Sequence, residues 1–141
     1  MKLKYFLIIV ALGAFAGCKK SQTEEEQIVR AQKTIIGKWE LVHYYRENSD
    51  GTGQWVPRDT GNIQIVKFRE DGSFSYNENF VVPKGINRYK FLEPHKVLLY
   101  STTTADSVKY YYQQDFANEL IFNPLCVEFS CMRRWVRAPG N

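Results

Sequence analysis

Apolar side chains in this chain recur at every second position, in short runs broken by turn residues, and that period constrains the fold more than any other feature. From Ile35 onward there is little sustained helical periodicity. The alternating runs predict eight strands, over 36–46, 63–69, 73–77, 87–92, 96–101, 107–113, 119–126 and 131–137. The polar, Gly-rich stretch 47–61 reads as a loop. Asp71-Gly72 marks a hairpin turn, because glycine accepts a positive φ without a steric penalty. Pro83 to Gly85 breaks the chain, and Glu93-Pro94-His95 and Asp115 to Asn118 turn it. Short turns between successive strands predict an all-β, antiparallel, up-and-down barrel, since closure removes exposed edges. No crossover helix is available to build a parallel sheet. The 15% of aromatic residues suits this architecture, because such side chains fit a pleated, half-buried surface. With 141 residues, one such domain is the expectation.

The N-terminus reads as an export signal. Lys2 and Lys4 precede an uncharged run from Tyr5 to Gly17, which is shorter than the ~20 apolar residues needed to span a bilayer core. Its end, Phe15-Ala16-Gly17-Cys18, resembles the lipobox of bacterial lipoproteins, with Phe15 where Leu is usual. The resemblance implies a signal peptide over 1–17, acylation (palmitate included) of Cys18, and anchorage to a membrane of the cell envelope. An ordinary signal peptide with an incidental cysteine is the alternative. Acidic residues Glu24 to Glu26, shortly after that cysteine, resemble surface-export signals of some Gram-negative lipoproteins, and the outer membrane, on either face, is the expected location. Residues 18–34 read as a polar tether. Within it Thr23 and Glu26 stand at capping-box spacing. A short helix over 24–33 would bring Ile28, Val29, Ala31 and Ile35 or Ile36 onto the barrel.

At Gly37-Lys38-Trp39 the chain resembles the Gly-x-Trp opening of lipocalins, and of the small lipocalin-like lipoproteins common in Bacteroidetes-type bacteria. Phe68-Arg69-Glu70-Asp71-Gly72-Ser73-Phe74 is similar to their second hairpin, and Asn123-Pro124-Leu125-Cys126 through Cys131 to their C-terminal end. The resemblance covers most of a barrel domain placed at 35–138. It implies that Trp39 plugs one end of the barrel, under an arginine of the last strand. Arg133, Arg134 and Arg137 are the candidates, and Arg133 is favoured on strand parity. Guanidinium stacks well on indole, which gives the contact a physical basis. Trp39 as plain core beside solvated arginines is the alternative.

Little here suggests catalysis. Among the two histidines, His95 falls in a turn, while His43 shares strand parity with Trp39 and Leu41 and so is expected inside. Cys126 and Cys131 lack CxxC spacing, and there is no phosphate loop, nucleophile elbow or HExxH motif. No enzyme, metal or cofactor is expected. Removing Lys2 and Lys4 from the 19 basic residues leaves 17 against 15 acidic ones, or +2, too small a charge to suggest a nucleic-acid partner.

The tyrosines carry more information. Leu41, His43, Phe74, Tyr76, Tyr89, Tyr110, Tyr112 and Phe122 are the candidate ligand-lining residues of a cavity with apolar walls and polar tips. The opposing possibility is a barrel filled by those same side chains. Two functions stay open on sequence: a module binding a small hydrophobic or amphipathic molecule, and a filled barrel that docks envelope partners. Ligand identity and oligomeric state are not legible. With Cys18 acylated, Cys126 and Cys131 form an even pair in an oxidising compartment, and a chain reversal between them would set them opposite each other as a disulfide; two reduced, buried thiols are the alternative.

Overall fold

In a computed structural model, residues 22–116, 118–125 and 132–139 are described. The first element among the described residues is a helix, α1 (Glu24–Ile35), two residues longer than the expected 24–33. The Thr23 hydroxyl accepts from Glu26 N at 3.2 Å, while the Glu26 carboxylate accepts from Thr23 N at 3.2 Å, so both halves of the capping box form. Ala31 and Ile35 are buried and Ile28 packs beside them, at the spacing of one helical face. Ala31 and Ile35 join the same buried cluster as the barrel side chains, so the helix packs on the barrel, as its apolar residues were expected to do.

Among the described residues nine strands follow: β1 (Gly37–Glu47), β2 (Gly53–Pro57), β3 (Ile65–Phe68), β4 (Phe74–Tyr76), β5 (Arg88–Glu93), β6 (Lys96–Tyr100), β7 (Ser107–Phe116), β8 (Glu119–Pro124) and β9 (Arg133–Arg137). Eight of them form one antiparallel sheet in the order β4-β3-β1-β9-β8-β7-β6-β5. The two outer strands meet across an isolated bridge between Ser73 and Arg88, with Phe74 N donating to Asn87 O (2.9 Å) and Tyr89 N to Gly72 O (3.0 Å). The result is a nearly closed, eight-stranded, up-and-down barrel. Gly72 in the β3–β4 turn has φ +76°, as its hairpin requires.

The ninth strand lies in the stretch expected to be a loop. β2 pairs with the upper half of β1, placing Trp55 opposite Tyr45 and Pro57 opposite His43, while β3 takes the lower half of the same edge. Its three central residues, Gln54-Trp55-Val56, are too few to show a period between Gly and Pro. What holds the strand is tertiary: the Trp55 ring meets Tyr45 edge-on at 5.4 Å, and the Arg134 guanidinium lies 4.3 Å above its centre. β7 likewise runs through to Phe116 rather than turning at Asp115, its last residues pairing with β8.

Candidate functional site

The lower end of the barrel is sealed by the Gly-x-Trp segment. Trp39 is fully buried, and its indole Nε1 donates to Ile35 O at 2.7 Å, which ties β1 to the end of α1. An arginine of the last strand covers the ring, and it is Arg137, with its guanidinium 4.4 Å from the ring centre. This corrects the choice of Arg133. Parity was not the fault, since 133, 135 and 137 share a face. Antiparallel pairing sets the final turn of chain beside the first, so Trp39 faces Arg137 while Arg133 lies further up, opposite Tyr44. Arg137 also donates to Ile36 O (2.7 Å) and Thr34 O (3.0 Å), at the C-terminal end of α1, where a helix runs out of its own donors. Gly37, at φ +132°, has the arginine passing over its Cα, where a Cβ would overlap the guanidinium. Glycine, tryptophan and arginine thus form one device.

His43 is the second correction. Between Leu41 and His43 the β1–β9 register shifts, a bulge at Val42 that adds one residue on β1. Leu41 still pairs with the buried Trp135, but beyond the bulge Tyr44 takes the inward face with Arg133, and His43 turns outward beside Arg134. Its Nδ1 is buried there without a hydrogen-bond partner.

The remaining candidates converge. Leu41, Phe74, Tyr89, Tyr110, Tyr112 and Phe122 are buried in one cluster, and Tyr76 packs against it. Rings fill this interior. Tyr110 and Phe122, neighbours across β7 and β8, stack at 4.4 Å, and Phe122 meets Phe68 edge-on at 5.3 Å from the opposite wall. Trp135, which the alternation did not single out, is fully buried and donates from Nε1 to Phe122 O at 2.7 Å. At the lower end, the Tyr112 hydroxyl shares a 2.6 Å hydrogen bond with Thr34 of α1. Burial raises the phenol of Tyr112 and pushes that of Tyr110 up to about 12, with the nearby Arg133 opposing part of the Tyr110 rise.

The upper end is closed differently. Phe80, in the segment between β4 and β5, turns into the barrel and is 2% exposed. Its ring lies 5.7–6.0 Å from those of Phe74, Tyr76, Tyr110 and Trp135. Gln64 is buried and donates from Nε2 to the Tyr44 hydroxyl at 3.1 Å, while its Oε1 has no partner. The signal for Phe80 was a lone aromatic in a polar, Pro-containing stretch, which alternation cannot rank. A separate cleft of about 490 Å³ opens outside the wall, between α1 and the β5–β6 turn, where Gln27, Arg30, His95 and Gln113 line it.

Cys18, Cys126 and Cys131 lie outside the described residues. Among the described residues no group of three or more His, Cys, Asp or Glu side chains could hold a metal ion, and no helix is long and apolar enough to cross a membrane. No protein-family model matches the chain, and no curated protein matches it.

Proposed function

We propose that this chain is a cell-envelope lipoprotein, anchored through Cys18, whose lipocalin-like barrel binds a small hydrophobic or amphipathic molecule in its upper interior. The supporting observation is the origin of Phe80. Four rings from three strands close on a side chain supplied by a connecting segment, so the occupant of that space can leave without breaking the wall. Titration with a panel of fluorescent lipophilic probes tests the reading. Saturable, one-to-one binding is expected, with competition between chemically different probes. A second reading has its own support: the Phe68–Phe122 contact and the buried Trp39 make the lower barrel solid. A filled barrel of that kind would act through its outer face, docking envelope proteins. Absence of saturable binding across the panel selects this second reading.

A further inference from the structure

Three elements meet at the cleft outside the wall: α1, the β5–β6 turn and the end of β7. Its volume of about 490 Å³ falls within the range of small-molecule sites, about 300–1,000 Å³. It is separate from the barrel interior, so its occupancy does not depend on what the interior holds.

One side of the cleft is set by Tyr111 and Tyr112. The Tyr111 hydroxyl donates to Gln113 Oε1 at 2.7 Å, which orients that amide and leaves Nε2 as its remaining donor. The Tyr111 ring also stacks on His95, with centroids 6.3 Å apart and planes 25° from parallel. Tyr112 holds the same histidine through its backbone: Tyr112 N donates to His95 O at 2.9 Å, and Tyr112 O accepts from His95 Nδ1 at 3.3 Å. Nδ1 is spent on that carbonyl, so Nε2 is the remaining polar atom of the ring. Across the cleft, Gln27 Nε2 donates to Gln22 O at 3.2 Å, which leaves Oε1 to accept. Arg30, one turn further along α1, is exposed and has no hydrogen bond or ion pair among the described residues. Ala31 and the Thr34–Tyr112 hydroxyl pair also line the cleft, and the Asp115 carboxylate stands at its edge, 3.9 Å from Arg134.

Two properties of this lining choose among ligands. Arg30 and Asp115 bring one charge of each sign, so the cleft favours neither an anion nor a cation. Its other groups divide into donors and acceptors: Gln113 Nε2 donates, while Gln27 Oε1 accepts. A hydroxyl both donates and accepts, so a molecule rich in hydroxyls can answer all of them. The His95 ring, backed by Tyr111 on one face and exposed to solvent, gives a flat surface for the C–H groups of a pyranose. Histidine and glutamine are fastened before any ligand arrives, which lowers the entropy lost on binding.

We propose that this cleft binds a neutral mono- or disaccharide, with its hydroxyls on Gln27, Arg30 and Gln113 and one ring face on His95. The site is distinct from the interior one proposed above, and neither depends on the other.

The full chain, in a detergent without a sugar headgroup, is titrated with maltose, lactose and N,N′-diacetylchitobiose and followed by amide chemical shifts. At least one sugar should give saturable shifts at 27–34, 94–96 and 111–115, with Phe74 and Trp135 unmoved. Arg30→Ala and Gln113→Ala, both of surface side chains, should each weaken that sugar about tenfold, the worth of one hydrogen bond at an ordered site. Tyr111→Phe keeps the ring under His95 and frees the Gln113 amide, so it should weaken binding about threefold. In the Gln113→Ala background the same change should have no further effect, because the two act through one amide. No saturable shift with any of the sugars overturns the proposal, and so does affinity left unchanged by both alanine variants. Inorganic phosphate tests the competing chemistry: if it binds and displaces the sugar, Arg30 and His95 form an anion site and the saccharide is rejected. Lipophilic probes should neither shift these amides nor compete, so failure here leaves the interior reading standing, and failure there leaves this one.

Discussion

Arg137 shows how much one side chain can carry at the residue scale. It stacks on Trp39, accepts the close approach of Gly37, and donates to two carbonyls at the end of α1. Arg137→Ala removes all of these and should destabilise the protein by about 2–3 kcal/mol in urea unfolding. Arg137→Lys should recover little, because an ammonium cannot stack flat and bond two carbonyls at once. Tyr110 gives a prediction in pH. An unfolded tyrosine titrates near 10, and the buried one is pushed up to about 12. The folded state therefore holds the phenol proton more tightly. That stability is fully present below pH 10 and is lost as pH rises toward 12, by up to about 3 kcal/mol. Alkaline unfolding of Tyr110→Phe should show a shallower slope over that window. The pairing of Trp39 with an arginine of the last strand was expected from the resemblance of Gly37-Lys38-Trp39 to the lipocalin opening, and the stacking of guanidinium on indole gives it a physical basis. Which arginine served was not legible, because that depends on which end of β9 meets the start of β1.

The elements divide between those with a local signal and those without one. α1 was legible because its cap and its stripe are both local in sequence. Thr23→Ala should cost about 1 kcal/mol, and Ile35→Ala, which opens a void under Trp39, about 2–5 kcal/mol, by the same unfolding measurement. β2 was not legible: it is held by ring contacts with Tyr45 on the preceding strand and with Arg134, far from it in sequence. Trp55→Ala should release β2 from β1 at a cost of about 1–2 kcal/mol, seen as lost amide cross-peaks between 43–47 and 53–57. The bulge at Val42 escaped for a related reason. Alternation carries parity along a strand only while the register holds, and one inserted residue sent His43 to the outside. Parity on unbroken strands thus put Phe74, Tyr89, Tyr110, Tyr112 and Phe122 in the interior, where they lie, whereas Phe80 and Gln64, buried with them, depend on where a loop folds back.

For the whole molecule, strand order followed from turn spacing, since short connections leave antiparallel neighbours as the available partners. Anchorage and the cysteine pair lie beyond what the barrel's geometry bears on, and both are testable. Cys18→Ser should release the protein from membranes in high salt or block its processing, as fractionation would show; unchanged membrane association would remove the anchor from the proposal. Mass spectrometry of non-reduced, alkylated protein from the envelope should find Cys126 joined to Cys131, a small loop worth about 2 kcal/mol. Two alkylated thiols at those positions would reject the bond.

The seam between β4 and β5 has a consequence for how the barrel comes apart. Every other junction in the ring is a multi-residue ladder, whereas the backbone pairing here is a single bridge and two hydrogen bonds, helped by side-chain bonds from Arg88 to Asp71 O and from Tyr89 to Arg69 O. Regions with few shared bonds open at lower free energy than the rest of a fold. The barrel should therefore unzip first along one line, like a cask losing a stave, with the β3–β4 hairpin swinging away while the remaining strands stay paired. The segment carrying Phe80 spans that line, so its ring is drawn out of the interior by the same movement. Breathing of the wall and access to the core are then a single motion, and in deuterium the amides of Phe74 and Tyr89 should exchange well before those of Tyr110 and Phe122.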